Sequence, residues 1–234
     1  MKKLTSIFLV IILFFSFTFA NVSKMVIKKA HNGDAEAQYK VGMDYVEKKQ
    51  YKKALKWIKK SADQGYAKAQ DQYGMMHYFS KYRNQIKKNY KIAKKWYEKA
   101  AKQNYADALY HLGHVYYFAK GASRNYTTAI NYYKKAAKYG RANAGYNVGV
   151  MCAKGQGTLK DFRAALKWHK KAAENGEADS QYEVGIQYIR GLGTKRDMIK
   201  AKKWIKKAYE NPNASSNTKS NAMEVWRGYK LSQY

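Results

Sequence analysis

Between residues 35 and 211 the hydrophobic positions fall into two alternating blocks, each with the spacing of one helix face. In one block Ala54, Trp57, Ile58 and Ala62 stand at i, i+3, i+4 and i+8, a single helical stripe. Lys52, Lys53, Lys56, Lys59 and Lys60 occupy its other faces. In the second block Ala37, Val41 and Tyr45 share a face. Both blocks recur in phase. The alanine leading the first returns at Ala54, Ala93, Ala129, Ala165 and Ala201, in steps of 39, 36, 36 and 36. A glycine in the other returns at Gly42, Gly74, Gly113, Gly149 and Gly185.

Each unit therefore reads as helix, loop, helix. The second helices end at Gly65, Asn104, Gly140 and Gly176, residue types that tolerate the left-handed conformation past a helix C-terminus. A glycine inside a helix costs about 1 kcal/mol relative to alanine. Five in register imply a packing reason, a close approach of the first helix beneath the Trp or Tyr of the second. One helix pair cannot bury both its faces, so the units must stack. Ala30 to Gly33 reads as the end of a second helix lacking a first, an N-terminal half-repeat. Pro212 to Thr218 breaks the pattern, and a last amphipathic helix through Met223, Val225, Trp226 and Leu231 is expected to cover the open end. The predicted fold class is an all-α solenoid of five helix-loop-helix repeats with terminal caps. The predicted segments are a leader at 1–20, a half-repeat at 21–33, repeats at 34–66, 67–105, 106–141, 142–177 and 178–211, and a capping helix at 212–234.

The pattern A-x-A-x-x-x-[LV]-G, a variable loop, then A-x-x-W-[YI]-x-K-A-A-x-x-G, at a period near 36, resembles the Sel-1-like repeat, a relative of the tetratricopeptide repeat. The resemblance covers residues 29 to 211. It implies a right-handed α-solenoid that scaffolds protein complexes, with bacterial members often acting in the envelope or at host contact. It also implies that the first helices line a concave groove. Equivalent polar positions there are Lys40, Gln72, His111, Asn147 and Glu183, different in every repeat. The loop of repeat two, Tyr78 to Tyr90, is long, basic and aromatic, which makes Tyr82, Arg83, Lys87 and Lys88 candidates for specificity.

Lys2 and Lys3, an apolar run from Ile7 to Phe19 and the small-residue ending Thr18-Phe19-Ala20 have the form of a secretory leader cut after Ala20. The run is shorter than the roughly 20 residues a spanning helix needs. The expected location is thus the periplasm or outside the cell, with membrane contact only through the leader before cleavage. There is one cysteine, Cys152, so no internal disulfide can form. The formal net charge is +30, which favours acidic partners. Lys60, Lys99, Lys135, Lys171 and Lys207 recur at one place in every repeat, a candidate surface for an acidic protein or an anionic envelope polymer. Export argues against nucleic acid despite the charge.

Chemistry is poorly represented. The pairs Gly155/Gly157 and Gly191/Gly193 do not follow strands, so they read as turns rather than phosphate loops. His111 and His114 lie three apart, but His77 and Cys152 occupy a position that is Tyr45, Tyr116 and Tyr188 in the other repeats, which reads as packing. Ser216-Asn-Thr-Lys219 matches S-x-x-K without its companion motifs. No catalytic residue, metal site or cofactor is expected. The leading functional expectation is an exported, non-catalytic scaffold with a protein partner in its groove. The alternatives are an immunity protein against an envelope toxin, a virulence-associated protein with a host partner, and, from the cysteine-rich relatives, a β-lactam or cell-wall hydrolase.

Overall fold

The computed structural model describes residues 22–79, 82 and 85–234. The leader-like segment and Arg83 lie outside the described residues. The chain divides into two compact units, 1–88 and 89–234. The described residues fold as an all-α solenoid of stacked helix pairs. In the first unit these are α1 (Lys24–His31), α2 (Ala35–Glu47), α3 (Tyr51–Asp63) and α4 (Ala67–Tyr78). The second holds α5 (Tyr90–Ala101), α6 (Ala106–Tyr117), α7 (Tyr126–Lys138), α8 (Ala142–Lys154), α9 (Phe162–Glu174), α10 (Ala178–Arg190), α11 (Met198–Glu210) and α12 (Ser216–Gly228), then a 3-10 turn at Leu231–Gln233.

The second helices of the second unit start the same way each time. Asn89, Asn125, Asp161 and Asp197 cap α5, α7, α9 and α11, accepting from backbone N–H groups two or three residues on. Such caps satisfy donors that a helix start leaves open. The N–H groups of Asn125, Asp161 and Asp197 in turn donate to the carbonyls of Tyr116, Cys152 and Tyr188 at 2.9–3.0 Å, closing each loop onto its first helix. The ends of the second helices at Gly65, Asn104, Gly140 and Gly176 all have positive φ, as their residue types require. Elsewhere Gln38, Gln70 and Gln181 donate to the carbonyls of Ala30, Ala62 and Ala173 at 3.1–3.2 Å, tying three of the first helices to the helix before them.

The helix glycines do serve a close approach, but not beneath the Trp. A Cβ on Gly113 would stand 2.4 Å from the Tyr133 ring, and one on Gly149 would stand 2.1 Å from the His169 ring. Gly42 and Gly185 meet Ile58 and Ile205 in the same way. The residue laid across each glycine is the one after the Trp or Tyr. Helical geometry accounts for the difference. Ile58, Tyr133 and Ile205 are nearly fully buried and meet the glycine of the partner helix, whereas the Trp or Tyr before each is less buried, Trp57 and Tyr132 half-exposed and Trp204 at 8%.

At the C-terminal end Asn211 donates to Gly176 O and Gln181 Oε1 at 2.9 and 3.0 Å. Ala222, with Val225 and Trp226, packs on the core of α10 and α11. Leu231, expected on the capping helix, lies instead in the 3-10 turn, where it is fully buried. In the first unit Ala30 packs with Ala37 and Val41.

Candidate functional site

Three tyrosines recur in register along the first helices of the second unit, packed on the core with part of each ring exposed. Tyr110, Tyr146 and Tyr182 stand 36 residues apart, each three residues before its helix glycine, and all are half-buried. A different polar neighbour follows each one, His111, Asn147 and Glu183 in turn. The Arg141 guanidinium lies 5.1 Å from the Tyr110 ring centre and pairs with Asp107 at 2.9 Å, while Asn147 is hydrogen-bonded to Tyr110. The His111 ring sits 4.9 Å from that of Tyr97. Burial, reinforced by the Glu183, Asp179 and Glu177 carboxylates, pushes the Tyr146 hydroxyl up to about 12. Burial also raises the Glu183 carboxyl against the pull of Arg190 and Lys154. Sequence reasoning passed over these tyrosines, although their 36-residue spacing was visible.

Charge is divided between the two kinds of helix. The first helices α2, α4, α6, α8 and α10 carry four basic residues and seven acidic ones. The second helices α3, α5, α7, α9 and α11 carry 21 basic and four acidic. The second helices are therefore strongly positive, the tyrosine-bearing helices are close to neutral, and the rest of the positive surplus lies in loops, termini and the terminal helices. Lys60, Lys99, Lys135, Lys171 and Lys207 are all exposed. Four of them lie over the Trp three residues earlier, at 4.0–6.0 Å from the ring centre, a cation–π arrangement that keeps the ammonium at the surface.

The remaining candidates separate. Lys40 is exposed and paired with Glu36 at 2.8 Å. Gln72 is buried at 8% exposure, and its amide donates to the Tyr82 hydroxyl at 3.3 Å. Burial takes it out of the set of surface positions expected from the sequence. Tyr82 is only 1% exposed, with its ring against Tyr51 at 5.0 Å. It anchors the long loop instead of presenting it. Tyr82 packs back on its own unit, and no periodicity foretells that. Lys87 and Lys88 are exposed.

The histidines and the cysteine serve packing. The His114 ring stacks against Phe118 and meets Tyr110 and Tyr133 edge-on, at 4.6–5.8 Å. Burial first, then the nearby His111, Lys120 and Arg141 charges, depresses its pKa to about 4. Burial also lowers His77 and His169, and it pushes the Cys152 thiol up, the opposite of what a nucleophile needs. Among the described residues no group of three or more His, Cys, Asp or Glu is placed to hold a metal ion, and no helix is long and apolar enough to cross a membrane.

The Sel1 repeat family model matches residues 35–66, 67–105, 106–140, 142–177 and 178–213. No curated protein is similar enough in sequence to count as a match. Solved structures do match. A Sel1 repeat protein from Oxalobacter formigenes is 32% identical over 86% of this chain and 78% of its own, with a TM-score of 0.74. A protective antigen of uropathogenic Escherichia coli, described as displaying an SLR fold, is 30% identical over 87% of this chain, with a TM-score of 0.70. This chain spans about half of that antigen, 47%. An immunity protein from Pseudomonas aeruginosa is similar in fold alone, at 18% identity over 85% of this chain and 82% of its own, with a TM-score of 0.50.

Proposed function

The chain belongs to the Sel1 repeat family, and from that premise we propose that it is a non-catalytic interaction protein that seats a protein partner on its first-helix surface. One observation carries the reading. Tyr110, Tyr146 and Tyr182 repeat at a fixed register, and the polar residue beside each is different. Tyrosine offers a large, stiff contact area and is enriched where proteins bind. A changing neighbour lets a repeated scaffold read a partner that is not itself repeated.

The charge division sharpens what that partner is. A surface close to neutral draws an acidic protein no more than a basic one, so the ligand of the tyrosine surface is held by contact area and polar matching rather than by charge. An acidic protein or anionic envelope polymer would belong on the second helices, with Lys99, Lys135 and Lys171. The buried, raised thiol of Cys152 supports a packing role for that residue over a nucleophilic one. Residues 1–20 carry the expectation of export, so the partner is sought in the envelope.

Capture from an envelope extract tests this. The wild-type chain should retain one protein in about 0.5 M salt, where surface attraction is screened. Joint replacement of His111, Asn147 and Glu183 by alanine should cut that retention at least about ten-fold, of the order of two ordinary interface contacts. Replacing Lys99, Lys135 and Lys171 by glutamine should leave it unchanged. A partner that elutes in salt and ignores the alanine variant would sink the placement.

A further inference from the structure

The loops joining first to second helices in the second unit form a continuous edge. A Cβ on Gly121, Gly157 or Gly193 would lie 2.2–2.5 Å from the backbone of Tyr90, Tyr126 or Phe162, the first residue of the preceding second helix. Each loop is thus seated on the repeat before it, and Tyr117 donates to Gln156 of the next loop at 3.1 Å. What projects from this edge is unusual. Leu159 is 88% exposed, Ile199 69% and Phe118 48%. Leu159 and Ile199 stand largely in water, while Phe118 exposes one side of its ring and rests the other on His114 and Tyr117, at 5.4 and 4.8 Å.

The charges beside them are equally regular. Arg124, Lys160 and Arg196 each immediately precede a helix cap, 36 residues apart, and all are exposed. Lys120 and Lys195 add to them. A cation at the positive end of a helix dipole is mildly unfavourable, yet it recurs in every loop of the unit. The carboxylates here, Asp161 and Asp197, are committed to capping α9 and α11, and Asp197 also pairs with Lys200 at 2.8 Å. The opposite edge of the second unit, where second helices end, has Tyr139 and Tyr209, each at 43%, and no comparable aliphatic residue among the described ones.

We propose that this loop edge docks on an anionic lipid bilayer, with Leu159, Ile199 and Phe118 entering the headgroup region and Arg124, Lys160 and Arg196 held against lipid phosphates. Lone protruding aliphatic side chains suit a bilayer, which surrounds each one without a shaped pocket, whereas a protein partner would need a separate cavity for each. Interfacial binding strength combines buried apolar area with attraction to anionic lipid, and this edge presents both. The docking surface is distinct from the tyrosine surface, which it leaves free.

A local reporter tests it on the full chain, independently of how the N-terminal apolar run behaves. Cys152 is buried, so an environment-sensitive fluorophore attached to Leu159→Cys labels that position alone. A second variant, Asn175→Cys, places it on the opposite edge. Vesicles of phosphatidylcholine with roughly one-third phosphatidylglycerol, in about 0.15 M salt, should shift the probe at 159 to the blue with a several-fold rise in emission. The probe at 175 should not respond, nor should either respond to pure phosphatidylcholine. Replacing Arg124, Lys160 and Arg196 by glutamine should weaken the response at 159 by roughly 100-fold in lipid concentration. Four outcomes would overturn the proposal: a probe at 159 that stays in water, an equal response at 175, insensitivity to the charge variant, or an equal response to soluble polyglutamate, which would assign the edge to an acidic polypeptide.

Discussion

Replacing Gly113 by alanine is expected to cost about 2–4 kcal/mol of stability, far beyond an ordinary surface change. The added methyl would stand 2.4–2.8 Å from three atoms of the Tyr133 ring. That ring is 2% exposed, lies edge-on to His114 at 5.8 Å and meets Tyr110 at 5.7 Å, so it has nowhere to go. In a Tyr133→Ala background the same replacement should be close to neutral, because the obstacle is gone and alanine favours helix over glycine by about 1 kcal/mol. Urea unfolding of the four members of the cycle should give a coupling of about 2 kcal/mol or more. Additive costs would mean that the glycine register has another cause.

Acid should weaken the second unit through His114. Its folded pKa, about 4, lies below the ordinary value near 6.5, so the folded chain holds it neutral while the unfolded chain takes up a proton. The stability it confers is complete above about pH 6.5 and is lost progressively as pH falls toward 4. The loss reaches roughly 3 kcal/mol by pH 4. His169, also lowered by burial, acts in the same direction, and His77 does so in the first unit. Glu177 and Glu183, raised by burial, act against it. The contribution of His114 is isolated by comparing the wild type with His114→Phe at pH 7 and pH 4.5. The variant's unfolding free energy should fall by about 2 kcal/mol less. Equal falls would show that the ring is protonated without cost in the folded chain.

Much of this architecture could be read before any coordinates. The period, the left-handed helix ends and the demand of the glycines for close contact follow from residue types at fixed spacing, and spacing survives folding. The residue laid across each glycine did not follow. Trp57 and Ile58 are both apolar and adjacent on the stripe, and only the roll of the helix decides which faces inward. The loop of repeat two was misjudged for a different reason. Tyr82 and Gln72 are ten residues apart and meet through an insertion that obeys no period, so both seemed available when both are buried. The tyrosine surface was legible but overlooked, because a residue repeated in register is easily taken for core.

The central claim is that the first-helix surface, and not the lysine-rich face, holds the partner. Site-specific photo-crosslinking in the producing cell tests it most directly, with the reactive residue placed in turn at His111, Asn147 and Glu183 and at Lys99, Lys135 and Lys171. The account predicts one common crosslinked protein from the first three positions and none from the last three. Crosslinks from the lysine positions alone would contradict it.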